Sequence, residues 1–153
     1  MKLYLASPLG FCPEHDDYRT RIKAHLAAQG HQVVDPWELH EVEQQIKTAL
    51  SSSDPVQQHH AIQQAAAYAG QANAEAIRGC DAVFAVLDGA EPDSGTVAEV
   101  GYAAGLGKVC YGLRADRRNM GELPGLPLNL QLLYFITASG GTLFRSLAAV
   151  QIP

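Results

Sequence analysis

The chain has 153 residues, 47% of them hydrophobic and 18% charged, with a formal net charge of −5. That length suits one domain spanning residues 1–153 with a core of its own, and the acidic balance supplies no basic field for a polymeric nucleic acid. The charged fraction is below the roughly 25% usual for soluble domains, which suggests that some surface is buried against other subunits.

In chain order, Lys2 to Ala6 (KLYLA) is a short apolar run closed by Ser7-Pro8-Leu9-Gly10, a buried first strand and its loop. The same Pro8 and Gly10 interrupt the N-terminus too early for a secretory signal. No segment approaches the roughly 20 apolar residues of a membrane span. Cys12, Cys80 and Cys110 are odd in number and without paired spacing, so they read as reduced thiols. A cytoplasmic protein without a membrane partner is the expectation.

From Asp16 to Gln29 the apolar residues Ile22, Ala24, Leu26 and Ala27 recur at helical spacing, and Gly30 follows as a C-cap signal. His31 to Asp35 predicts a second strand, broken by Pro36. Glu38 to Leu50 is polar with scattered apolar residues and ends at a Ser-rich break. Asp54-Pro55 then opens a long Ala/Gln-rich helix running to Arg78. Asp81 to Leu87 is apolar after its first residue and predicts a central strand covered on both faces.

Thr96 to Leu106 predicts a helix and Lys108 to Leu113 a fourth strand, followed by a polar Gly/Pro-rich loop from Arg114 to Pro127. Leu128 to Leu133 reads as a short helix, Tyr134 to Thr137 as a last strand, and Thr142 to Val150 as a closing helix. Strands alternating with helices predict an α/β fold: a flavodoxin-like or Rossmann-like open parallel sheet of about five strands with helices on both faces. Such sheets bind ligands beyond the carboxyl ends of their strands, where the strand order switches. The loops after Leu5, Leu87 and Leu113 should therefore share one rim.

The stretch from Asp88 to Leu106 leaves a strand's carboxyl end and turns into a helix whose one charged residue from Val97 to Gly107 is Glu99. A carboxylate on an apolar helix is costly to bury unless it is partnered or useful. One reading is structural, because Thr96-Val-Ala-Glu99 fits a capping box. The other is chemical. Asp93 and Glu99 at the switch point can divide labour between attack on carbon and proton handling, and Gly95 lets a ligand approach the backbone closely.

Five blocks carry a resemblance: Tyr4-Leu-Ala-Ser-Pro-Leu-Gly-Phe11, Asn73-Ala-Glu-Ala-Ile-Arg-Gly-Cys-Asp81, Asp93-Ser-Gly-Thr-Val-Ala-Glu99-Val-Gly-Tyr102, Asp116-Arg-Arg-Asn-Met120 and Gly125-Leu-Pro-Leu-Asn129-Leu. In this order they resemble the nucleoside 2-deoxyribosyltransferase family. The resemblance implies that Glu99 is a nucleophile attacking C1′, that Asp93 binds and protonates the leaving base, and that Tyr4 holds and tunes the glutamate. It implies that Phe11 is an apolar wall for base or sugar. It also implies that Asn129 reaches a neighbouring subunit's site, and hence a homo-oligomer, a dimer or an assembly of dimers. Asn73 departs from those members with an aspartate there; an amide can read a base through hydrogen bonds but cannot deliver a proton as a carboxylic acid does.

The function implied is exchange of 2-deoxyribose between nucleobases, with 2′-deoxynucleosides and free bases as partners and no cofactor. Two alternatives are a hydrolase of nucleosides or their 5′-monophosphates, and a nucleotide-binding module without chemistry. The six histidines carry no metal-ligand spacing, since the adjacent His59 and His60 point to different helix faces. Asp81 reads as structural, Trp37 equally as pocket wall or plug, and Arg114, Arg117 and Arg118 as a solvated loop cluster, with a subunit or phosphate contact as the alternative. No dinucleotide or P-loop glycine motif occurs.

Overall fold

The computed structural model describes all 153 residues. Its elements in chain order are β1 (Lys2–Ala6), α1 (Asp16–Ala28), β2 (Gln32–Val34), α2 (His40–Leu50), α3 (Pro55–Arg78), β3 (Ala82–Val86), α4 (Ser94–Gly105), β4 (Val109–Leu113), α5 (Leu130–Ala138) and β5 (Leu143–Phe144). The five strands are all parallel, in the order β2-β1-β3-β4-β5. The order reverses between β1 and β3, so the switch-point crevice lies where these two strands end.

Residue alternation along the strands divides the core. Tyr4, Ala6, Val83, Ala85 and Cys110 point to the side covered by Ile77 of α3, Val100 and Ala103 of α4, and Leu132 and Ile136 of α5. Leu3, Leu5, Phe84, Val86 and Leu113 point to the other side, against Ile22 and Leu26 of α1 and the C-terminal Val150 and Ile152. Both faces are thus covered, which is why β1, β3 and β4 are apolar runs without polar alternation. No helix is long and apolar enough to cross a membrane.

Local signals act as their chemistry dictates. The Asp54 carboxylate accepts from the Val56 and Gln57 amides at 2.9 and 3.3 Å with Pro55 opening α3. Gly30 takes φ 85° after α1. Asp81 is structural, its carboxylate accepting from the Lys2 amide at 2.6 Å and tying the start of β1 to β3.

The C-terminal third differs from the sequence-based expectation. Tyr134 to Thr137 lies within α5, not in a strand. Its β-branched and aromatic residues favour strands, but Asn129 caps the segment and Leu132 and Ile136 bury one helical face. The last strand is instead β5, and the expected closing helix is a single 3-10 turn at Leu147–Ala149. Arg114 is buried, not part of a solvated cluster, and donates to the Leu87 carbonyl at 2.6 Å and the Arg118 carbonyl at 3.2 Å. It binds the loop after β4 to the end of β3.

Candidate active site

Tyr4 is fully buried on β1, and the parallel register sets it beside Val83. From there its hydroxyl donates to Glu99 Oε1 at 2.6 Å, across 95 positions of sequence. Asn73, on α3, donates from Nδ2 to the same oxygen at 3.4 Å, the long end of a hydrogen bond. Three elements therefore converge on one carboxylate.

Asp93 is the N-cap of α4. Its Oδ2 accepts from the Thr96 amide at 2.8 Å and the Thr96 hydroxyl at 3.1 Å. The capping-box reading of Thr96 and Glu99 is corrected by this arrangement: the helix starts two residues before Thr96, and Glu99 lies in its second turn, bonded to Tyr4. Asp93 Oδ1 makes no hydrogen bond within the chain. Gly95 follows the cap, and a Cβ there would lie 3.1 Å from Asp93 Oδ2, closer than ordinary packing allows.

The electrostatics follow from burial. Desolvation pushes the Glu99 pKa up, the Tyr4 hydrogen bond pulls it back, and the negative charge of Asp93 adds to the rise. Tyr4 is held far above the usual phenol range by burial and by the adjacent carboxylate. It stays protonated and donates.

Asn73, Asp93 and Glu99 face a cavity of about 640 Å³ at the switch point, lined also by Ser7, Phe11, Trp37 and Gly95, while Tyr4 lies fully buried behind Glu99 and reaches the site through it. A volume of that size suits a small ligand. Of the expected site residues, Glu99, Asp93, Tyr4, Asn73, Gly95 and Phe11 come together here. Asn129 does not: it is exposed at the start of α5, its side chain accepting from the Gln131 and Leu132 amides at 3.0 and 3.2 Å and donating to Glu122.

Other walls were not singled out in the sequence. Val42 and Ile46 of α2, with Leu39 before it, line the cavity. Their i, i+3, i+7 spacing was the available signal. Arg19 and Asp16 of α1 line it as well; nothing local marks them, because α1 reaches the rim only through the tertiary fold. No group of three His, Cys, Asp or Glu side chains is placed to hold a metal ion.

A family model described as nucleoside 2-deoxyribosyltransferase matches residues 3–131. The chain belongs to the nucleoside 2-deoxyribosyltransferase family. That membership makes it a nucleoside glycosyl-transfer enzyme, and the matched span contains every site residue named above. Among solved structures, the chain is similar to a 2-deoxyribosyltransferase from Leishmania mexicana, with 27% identity and a TM-score of 0.64 over 97% of this chain and 92% of that one. A 2-deoxyribosyltransferase from Bacillus psychrosaccharolyticus matches at 22% identity and TM-score 0.55, over 97% and 88% of the two chains. A CMP N-glycosidase from Clostridium botulinum shares the deoxyribosyltransferase-like fold at 15% identity and TM-score 0.57, over 97% and 93%. No curated protein matches by sequence.

Proposed function

We propose that the enzyme exchanges the nucleobase of 2′-deoxynucleosides by a retaining double displacement through Glu99. The observation that carries the reading is the 2.6 Å hydrogen bond from Tyr4 to Glu99 at the switch-point cavity. A half-buried carboxylate, held by a phenol that cannot lose its proton, is oriented toward ligand space and not consumed by a helix cap.

In the first step a Glu99 oxygen bonds to C1′ as the C1′–N bond breaks, and the electron pair leaves with the base. The cationic character that builds at C1′ is stabilised by the same carboxylate, as in retaining glycosidases. With the base bound, Asp93 takes up a proton from solvent, hydrogen-bonds the departing base and delivers that proton to it. Asn73 reads the base without supplying one. In the second step a nitrogen of the incoming base bonds to C1′, the ester C–O bond breaks, and Asp93 takes the proton back. Two inversions retain the configuration. Water competes for the ester, giving a minor hydrolysis.

Charge in the cavity favours an unphosphorylated substrate over a 5′-monophosphate. Arg19 is paired with Asp16 at 3.1 Å and with buried Asp35 at 3.6 Å, and Lys47 is paired with Glu43. Each lining cation is matched by a carboxylate, and Asp93 and Glu99 add further acidic groups, so the cavity offers a phosphate no net positive field. The Asn129 side chain, exposed beside the exposed Leu130 and Tyr134, supports a homo-oligomer in which it completes a neighbour's site.

The test is a chromatographic assay of deoxyinosine, and separately thymidine, with free adenine and with no acceptor. The expected product is deoxyadenosine. Release of free base at the same rate without an acceptor would make the enzyme a hydrolase, and turnover confined to monophosphates would overturn the substrate assignment.

A further inference from the structure

Resting on the nucleoside reading above for the nature of the ligand, we propose that Trp37 is the platform on which the nucleobase stacks. Trp37 sits in the 3-10 turn Pro36–Glu38 that follows β2. The turn is anchored from below: the buried Asp35 carboxylate accepts from the Trp37 amide at 3.1 Å and is itself paired with Arg19 at 3.6 Å and Lys23 at 3.3 Å. Neither the backbone nor the ring of Trp37 is left to find its own place.

The indole is fixed by three further contacts. Its Nε1 donates to the Ser7 carbonyl at 2.8 Å, so the one polar atom of the ring is already satisfied by the first loop. Gly10 lies directly against the ring, where a Cβ would overlap Cγ, Cδ2 and Cε2. Phe11 meets it edge to face, with centroids 4.5 Å apart and planes at 77°, a favoured aromatic geometry.

What remains of the ring is apolar and unpartnered. Trp37 is still 37% exposed, and it borders the cavity that also holds Asp93 and Glu99. A pre-positioned aromatic surface facing a ligand cavity favours a flat π-system, because it binds without first losing rotamer freedom. With Nε1 occupied, the indole cannot read a base by hydrogen bonding. Its contribution is stacking, which scales with ring area, so it is larger for purines than for pyrimidines.

The experiment combines binding and turnover. Trp37 is the sole tryptophan among six tyrosines, so fluorescence excited at the red edge, where only indole absorbs, reports on this site alone. Adenine and deoxyadenosine are expected to quench wild-type emission saturably. Trp37→Leu should raise KM for purine donor and acceptor roughly tenfold, within about 5- to 150-fold, with a much smaller change in kcat. Thymidine should suffer less. Trp37→Phe, which keeps a ring but loses the bond to Ser7, should recover most of the purine KM.

Equal damage in Trp37→Phe and Trp37→Leu would overturn the platform, because the anchoring bond and not the ring would then be what matters. Wild-type exchange without quenching, together with an unchanged KM in Trp37→Leu, would overturn it while leaving base exchange intact. Saturable quenching by adenine in an enzyme that exchanges no base would support the platform and count only against the transferase reading.

Discussion

Replacing Tyr4 by phenylalanine removes one oxygen from a fully buried side chain and leaves its ring packing in place. The lost contact is the 2.6 Å hydrogen bond to Glu99, made to a group that must be ionised to attack carbon. Hydrogen bonds to charged groups contribute about 1.5–3 kcal/mol. The remaining partner, Asn73 at 3.4 Å, is too long to replace it. Below the acid limb of the wild-type profile, kcat/KM should therefore fall roughly tenfold to a hundredfold.

The pH dependence carries the sharper information. The Tyr4 bond is what lowers the Glu99 pKa against burial and the Asp93 charge. Without it both remaining influences push the same way, so the acid limb of the kcat/KM profile should move to higher pH and activity should partly recover in alkali. The assay is deoxyinosine-to-adenine exchange across a pH series, with circular dichroism to confirm an unchanged fold. An acid limb that stays where it was, with the loss equal at every pH, would refute the assignment of Tyr4 as the group that tunes Glu99.

Glu99→Gln should abolish exchange and, at neutral pH, raise thermal stability. Because the folded-state pKa of Glu99 is raised above its ordinary 4.5, the stability its carboxyl contributes is complete below that value and is lost as pH rises through the folded pKa. The gain in melting temperature of Glu99→Gln over wild type should thus grow with pH above about 4.5 and then level off; a variant less stable than wild type at pH 8 would contradict this. Asp93→Asn keeps an oxygen to cap α4, since asparagine caps as well as aspartate, so unfolding should scarcely move while exchange falls roughly a hundredfold or more. Exchange within a few-fold of wild type would remove Asp93 from proton handling. Asn129→Ser keeps an oxygen to cap α5 without setting a carboxylate against Glu122, loses the amide donor, and should lower activity without dissociating the oligomer. A fully active wild-type monomer in analytical ultracentrifugation would sink the shared-site proposal.

Much of this architecture is legible one segment at a time. Continuous apolar runs at Lys2–Ala6 and Ala82–Val86 announce strands covered on both faces, and Asp54-Pro55 and Gly30 mark helix ends, because these signals act within a few residues of themselves. The loop from Asp88 to Glu99 declares acidic chemistry at a strand's carboxyl end for the same reason. Where two local rules compete, the tertiary surroundings decide. Leu130–Ala138 is rich in strand formers, yet burial of Leu132 and Ile136 against α4 makes it a helix.

The partner of Glu99 was beyond local reading. A capping box with Thr96 and a bond to a tyrosine 95 residues away are equally consistent with the nearby sequence. The choice is made by Asp93, which takes the cap, and by the β1–β3 pairing that brings Tyr4 under α4. Arg114 is charged and flanked by polar residues, and only the converging ends of β3 and β4 supply the carbonyls that let it be buried. By itself the sequence determined which segments are strands at the core, which carboxylates can react and which family they resemble. The tertiary structure decided which of those groups meet, because pairing between distant residues depends on strand order and packing, and no local pattern encodes either.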